Sequence, residues 1–371
     1  MKHAALITIH VGPNFGTVLQ AIATTKILKD HNISTTIVNY IPPRCTKKRI
    51  YKKTNSYSSK PIIMRALLKF LAGIRLLWNN YWFNERIYLG CLEKWCNLSS
   101  PIYPSDKFAL KCPKADYYVT GSDQVWNTFH NEGVDTHYFF DGISGKKIAL
   151  ASSIGMDVLT DDEAKVFSEF LSQYSAVSVR EESGVKILRQ IGIESCQVLD
   201  PTLMINRNEW YSMFHCLRHI KDDYLLVYIP YNIHDKNEIY RFARKEALKR
   251  GLKVVTFSWN KTKEPLADIT INHASPTDFL SLMYYADFVV TNSFHGTAFS
   301  INLNRNFAIY LPTKFPSRVL SILALLNLED RVIEYGCDEL KDATNIDYSG
   351  INIVLDRKRK DMHDFIDKNF I

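Results

Sequence analysis

Short apolar bursts alternate with amphipathic stretches along most of the chain, which predicts strands separated by helices. In the first half, Ala4–Ile9 reads as a buried strand. Thr17–Asp30 reads as a helix with Val18, Ala21, Ile22 and Thr25 on one face. Thr35–Tyr40 is a β-branched run stopped by Pro42 and Pro43, and Tyr117–Thr120, Ile148–Ser152 and Ala176–Val179 are further strands. Helices are predicted over Asp161–Tyr174, whose acidic first turn suits the helix dipole, and over Ser183–Ile191. The second half repeats the rhythm. Tyr224–Ile229, Leu252–Phe257, Phe288–Thr291 and Phe307–Leu311 are its strands, with helices at Asn237–Arg250, stopped by Gly251, and at Pro276–Tyr285. Strands joined by helices imply parallel sheets covered on both faces. Asp200–Asp223 has no clear strand pattern, and the joint between two α/β domains is expected there, giving domains 1–200 and 201–371 with the last helix packing back on the first. For 371 residues, two domains are also the ordinary number.

One segment breaks the rhythm. Between Arg44 and Lys94 twelve Lys or Arg face two acids, Glu85 and Glu93, so this stretch carries +10 of a net +7 and the remainder sums to −3. Within this basic, aromatic insertion (about 44–98), Tyr51–Lys60 reads as a polar loop. Ile62–Tyr81 reads as an apolar helix bearing Arg65, Lys69 and Arg75. Such a helix either packs on the core with a solvated basic face or lies on an anionic membrane surface. No nucleic-acid recognition motif accompanies the charge, and no nucleic-acid partner is expected. No uncharged apolar run reaches 18 residues, and the N-terminal run fits a first strand better than a secretory signal. The expected location is therefore cytoplasmic, peripheral at the inner membrane face if the basic segment binds lipid. The seven cysteines show no CxxC spacing, so reduced thiols are expected rather than a disulfide framework or a zinc site.

Four polar stretches follow the carboxyl ends of predicted strands, where open α/β sheets bind ligands. His10-Val11-Gly12-Pro13-Asn14-Phe15-Gly16 lies between a strand and a helix, and is either an anion-binding helix start or a plain turn. In Gly121-Ser122-Asp123-Gln124-Val125-Trp126-Asn127, the polar groups of Ser122, Asp123, Gln124 and Asn127 suit sugar hydroxyls. Trp126 offers a face to a sugar ring, while Ser122 or Asp123 could instead be a helix cap. Arg180, at the end of a strand, can hold a carboxylate or phosphate through two parallel hydrogen bonds, or pair with Glu181 or Glu182. His295, in Thr291-Asn292-Ser293-Phe294-His295-Gly296-Thr297, is placed for general acid chemistry beside a glycine that permits close approach.

Together these stretches resemble the polysaccharide pyruvyl transferase family. The motifs that carry the resemblance are Asn14-x-Gly16-x-x-Leu19-Gln20, Gly121–Asn127, Ala151-Ser152-Ser153-Ile154-Gly155, Val179-Arg180-Glu181, Asp200-Pro201-Thr202 and Ser293-Phe294-His295-Gly296, spanning roughly residues 5 to 335. The resemblance implies two Rossmann-like domains facing across a cleft, a GT-B-like architecture, with the acceptor on the first domain and the donor on the second. It implies phosphoenolpyruvate as donor and a sugar of a surface or capsular polysaccharide precursor as acceptor, with a pyruvate ketal and phosphate as products. No cofactor or metal is called for, and a divalent ion bridging donor oxygens stays open. Carried over, His295 is the catalytic histidine. Arg180, Ser293, Gly296, Arg318 and Lys314 form the donor side, and Asn14, Gly16, Ser122, Asp123, Gln124, Trp126 and Asn127 the acceptor side. One position departs from the family: many members carry Arg two places before the histidine, where this chain has Ser293, and Arg318 or Lys314 would have to substitute. The basic insertion suggests an acceptor carried on a lipid diphosphate. Two other readings stay open: a GT-B glycosyltransferase using a nucleotide sugar, which would have a similar fold and a different donor site, and a catalytically silent glycan-binding relative.

Overall fold

The computed structural model describes residues 1–46, 64, 67, 70, 71, 73, 74, 86–231, 235–258, 263–341 and 344–371. Two wholly parallel sheets dominate it. The first contains β1 (Lys2–Ile7), β2 (Ile33–Ile37), β3 (Asn97–Leu98), β4 (Tyr117–Thr120), β5 (Lys146–Ser152), β6 (Tyr174–Val179) and β7 (Cys196–Gln197), in the order β3-β2-β1-β4-β5-β6-β7. The second contains β8 (Tyr224–Tyr228), β9 (Lys253–Ser258), β10 (Ile269–Asn272), β11 (Phe288–Thr291), β12 (Asn306–Tyr310) and β13 (Val332–Ile333), in the order β10-β9-β8-β11-β12-β13. Each sheet winds outward from its first strand, then reverses, which is the Rossmann order. The two Rossmann-like halves give the GT-B-like α/β architecture expected from the sequence. The reversals fall between β1 and β4 and between β8 and β11, so the stretches after β1, β4 and β11 all lie at switch points.

β4, β11 and the helix Pro276–Tyr285 occupy their predicted bounds. The helix expected over Asp161–Tyr174 stops at Leu171, because Tyr174 already opens β6. Its start is fixed by a capping box in which Thr160 and Glu163 exchange hydrogen bonds. The helix Lys236–Arg250 ends at Gly251, whose φ of 68° is left-handed and costs glycine nothing. Four short edge strands, β3, β7, β10 and β13, were not predicted.

The helix Phe15–Asp30 is buried on every side from Phe15 to Thr24. It sits in a core shared by both halves. Its first residue, Phe15, stacks on Phe279 at 4.7 Å and on Tyr88 at 5.5 Å, and its ring lies 5.8 Å from that of Tyr228. The last helix, Tyr348–Asn369, returns to the first sheet, where Tyr117 Oη donates to the Ile371 carbonyl at 2.6 Å and His31 Nδ1 meets Asp367 at 2.7 Å. Of the basic segment, residues 64, 67, 70, 71, 73 and 74 are helical. Met64, Leu67, Phe70, Leu71 and Ile74 are 45–61% exposed. The predicted loop Tyr51–Lys60 and the cations Arg65, Lys69 and Arg75 lie outside the described residues. Among the described residues no helix is long and apolar enough to cross a membrane.

Candidate active site

The carboxyl ends of the two sheets meet at His295. This residue lies in the first turn of the helix Phe294–Asn302, directly after β11, and is 2% exposed. The opposing wall is Gly16, at the start of the helix after β1. A Cβ built on Gly16 would stand 2.1 Å from His295 Cγ, so glycine there is what lets the two halves close on the histidine. His295 Nε2 has no hydrogen-bond partner and lies 3.9 Å from Asp200 Oδ2. Burial lowers the His295 pKa, opposed by Asp200 and Asp123 and assisted by Arg180 and Arg318. The imidazole is therefore neutral near pH 7 in the free protein.

Asp200, quoted in the sequence motif but given no role there, organises the site. Its Oδ2 accepts from Arg180 Nη1 at 2.7 Å and Ser122 Oγ at 3.0 Å. Its Oδ1 accepts from Thr202 N at 2.9 Å and Thr202 Oγ1 at 2.7 Å. Burial pushes its carboxyl up, but Arg180, His295 and the Thr202 bonds outweigh this and bring it to about 2. Arg180 also donates from Nη2 to Asp123 Oδ1 at 3.4 Å, and its Nε lies 3.8 Å from Glu181 Oε2. Asp123 itself sits at φ 69°, accepts from Thr17 Oγ1 at 3.0 Å and from Gln124 N at 2.9 Å. Burial opposes its ionisation, yet Arg180, His295 and Arg318 keep its pKa low. Neither Ser122 nor Asp123 caps a helix: the cap of Thr128–Asn131 is Asn127, which also donates to the Gly155 carbonyl at 3.0 Å.

Arg318 enters from the helix Ser317–Leu326 and is 4% exposed. With its amide oxygen turned toward Arg318, Gln124 accepts from Nη1 and Nη2 at 3.2 Å. Among the described residues Arg318 has no carboxylate partner, and its Nε is unsatisfied. Arg318 and Arg180 flank the same ring, their Cζ atoms 5.9 and 4.5 Å from the Phe294 centroid.

Four residues take positions other than those read from the sequence. Trp126 is 1% exposed, stacked on Phe139 at 5.5 Å inside the first core, and has no face for a sugar. The close approach that Gly296 permits is that of its own strand: a Cβ would stand 2.2 Å from Thr291 Oγ1. Ser293 is the N-cap of its helix, accepting from Gly296 N at 3.3 Å, and brings no charge to the site. Lys314 is exposed at the rim, its Nζ 3.9 Å from the Phe129 ring centroid. Asn14 caps the first helix, accepting from Gly16 N at 2.9 Å and Thr17 N at 3.4 Å, so two amides that could have met an anion are already occupied. Glu181, offered by the sequence only as a partner for Arg180, is also a backbone anchor. Its Oε1 accepts from Ser153 Oγ, Ile154 N and Gly155 N at 2.8–3.0 Å and fastens the turn after β5.

Among solved structures the chain is similar to the UDP-GlcNAc 2-epimerase of Methanocaldococcus jannaschii in complex with UDP-GlcNAc and UDP, with 13% identity over 97% of this chain and 94% of that one, TM-score 0.46. It is similar to the UDP-GlcNAc 2-epimerase of Neisseria meningitidis bound to UDP-GlcNAc, with 11% identity, 98% and 94% coverage, TM-score 0.44. An alpha-glucosyltransferase in complex with UDP gives 8% identity, 100% and 96% coverage, TM-score 0.48. No curated protein sequence matches the chain. The model of the polysaccharide pyruvyl transferase family matches residues 14–311, a span that begins at the Asn14 cap and runs through Arg180, Asp200 and His295 to the end of β12. The chain belongs to that family.

Proposed function

We propose that the protein transfers the pyruvyl group of phosphoenolpyruvate to two hydroxyls of a sugar in a polysaccharide precursor. The observation that carries this reading is Arg318, a buried guanidinium that makes no ion pair among the described residues, beside a buried histidine. Unpaired buried charge is costly, and an anionic ligand would relieve it. Phosphoenolpyruvate offers a carboxylate and a phosphate for Arg318 and Arg180, whose forks suit both. Ser293 marks the departure from the family pattern. Arg318, from a different helix, supplies the second guanidinium in its place.

In this reading the arriving anion raises the proton affinity of His295, which then protonates the methylene carbon of the donor. Carbon 2 gains oxocarbenium character, and a sugar hydroxyl adds to it and loses its proton. Phosphate departs with the electron pair of its carbon–oxygen bond. The second hydroxyl then adds to the same carbon and loses its proton, which restores His295, while the proton of the first hydroxyl leaves with phosphate, and the ketal closes. Asp123, held by Thr17 and Arg180, would orient a hydroxyl only by exchanging one of those hydrogen bonds.

The test is thermal stabilisation by phosphoenolpyruvate. A ligand of the folded state at a hundredfold excess over its Kd adds about 2.7 kcal/mol. Wild type should be stabilised and Arg318→Ala should not, while Ser293→Arg placed in Arg318→Ala should restore part of the effect. Stabilisation by nucleotide sugars alone would replace this reading with glycosyl transfer, and sugar binding without donor turnover would replace it with a silent binder.

A further inference from the structure

Trp126 is buried, so the site lacks the aromatic platform that its sequence suggested. An exposed one stands three residues on. Phe129, on the short helix after the cap Asn127, is 53% exposed. Its ring meets Phe315 of the second half at 5.6 Å, and Lys314 Nζ lies 3.9 Å over its centroid. Phe315 holds a φ of 57°, which is strained for an aromatic residue and the kind of geometry that collects at ligand sites. On the same short helix, Asn131 accepts a hydrogen bond from Arg44 Nη1, and His130 is exposed beside Phe129.

This rim carries positive charge that is only partly committed: Arg44 hydrogen-bonds Asn131 and Tyr138 and is drawn toward Asp135, and Lys314 lies over Phe129. Among the described residues neither Arg44 nor Lys314 makes an ion pair. Arg44, Arg318 and Lys314 all depress the His130 pKa, after burial, while Asp123 opposes them. Arg318 and Asp123 act on His295 as well, so rim and active site are contiguous. The acids of the rim stretch are Asp123, Glu132 and Asp135. Asp123 is held by Thr17 and Arg180. Asp135 accepts from Tyr40 Oη at 2.8 Å, meets His137 Nδ1 at 2.7 Å and lies within electrostatic reach of Arg44, and Glu132 is exposed.

We infer that Phe129, Lys314, Arg44 and His130 form a subsite for a phosphorylated sugar, the ring stacking on Phe129 and the phosphate or diphosphate resting on Arg44 and Lys314. Anions are drawn to clustered cations, and an aromatic face accepts the apolar face of a sugar. The inference rests on the pyruvyl-transfer reading only in naming this ligand as the acceptor.

Binding decides it. Glucose, galactose and mannose 1-phosphates, the parent hexoses and inorganic pyrophosphate are titrated calorimetrically into the full chain, with phosphoenolpyruvate thermal shifts run in parallel. At least one hexose 1-phosphate should bind tenfold or more tightly than its parent hexose. Phe129→Ala and Lys314→Glu should each weaken it at least tenfold, while the phosphoenolpyruvate shift of Phe129→Ala keeps its wild-type size. Arg44→Lys, which keeps the charge and the fold, should cost less than Arg44→Ala. Hexose phosphates that fail to bind, or that bind these variants like wild type, overturn the subsite whatever phosphoenolpyruvate does. A missing phosphoenolpyruvate shift with hexose phosphate binding intact would remove the donor reading and leave the subsite standing. Pyrophosphate binding with equal affinity and no dependence on Phe129 would show a bare anion patch and overturn the sugar half of the inference.

Discussion

His295 is where residue chemistry becomes measurable. Its folded pKa lies below the ordinary value of 6.5, with burial the main cause. If its protonated form starts the reaction, kcat/KM, which reports the free enzyme, should fall as pH rises, with an inflection below about 6.5. The kcat profile should inflect higher, because the bound donor stabilises the imidazolium. An inflection of kcat/KM above pH 7 would remove His295 as the acid. The same shift affects stability: a depressed folded pKa favours folding fully above 6.5 and progressively less as pH falls through the folded value. Trp126 gives a second test. Packed on Phe139, it should act as core, and Trp126→Ala should cost about 3–5 kcal/mol in a denaturant melt. Any protein that remains folded should keep its acceptor KM. Residue types at strand ends were enough to pick out Arg180 and His295, and Arg318 entered only as a substitute for the arginine that the family pattern has at Ser293. They could not say that Asp200 would lie between Arg180 and His295 across a gap in sequence, or that Ser293 would cap its helix. Those facts depend on which side chains the fold brings together.

At the scale of elements, β-branched runs and Gly or Pro stops made most strands legible, with errors of a few residues. β3, β7 and β13 have two residues each and β10 has four. So short an edge strand carries no periodicity, and only pairing with a neighbour defines it. The helix Phe15–Asp30 shows the opposite problem. An amphipathic stripe was read where Phe15 to Thr24 are buried all round, because that part of the helix lies in the core shared by both halves and only its C-terminal end reaches solvent. The helical residues 64, 67, 70, 71, 73 and 74 are a third case. Their apolar side chains Met64, Leu67, Phe70, Leu71 and Ile74 recur at helical spacing and point outward, in the most basic stretch of the chain. Vesicles containing an anionic phospholipid should sediment with the protein at low salt, and neutral vesicles should not. Phe70→Asp combined with Leu71→Asp should abolish the effect, and equal sedimentation with neutral vesicles would refute an electrostatic contribution.

For the whole molecule, two Rossmann-like halves would ordinarily be expected to move as separate bodies. Here one aromatic cluster ties them together: Phe15 from the first half lies against Tyr228 and Phe279 from the second, and the last helix returns to the first sheet. Thermal unfolding should therefore proceed as one transition, with coincident near- and far-ultraviolet circular dichroism. Two resolved transitions would show the shared core to be weaker than its packing suggests. The contact between Gly16 and His295 carries a further consequence. The low proton affinity of His295 belongs to the seam rather than to the histidine, since it requires both halves to be in place. Any event that parts or fills the seam must change the number of protons the protein holds. If phosphoenolpyruvate is the ligand that fills it, binding near neutral pH should take up protons, and the calorimetric heat should scale with the ionisation enthalpy of the buffer.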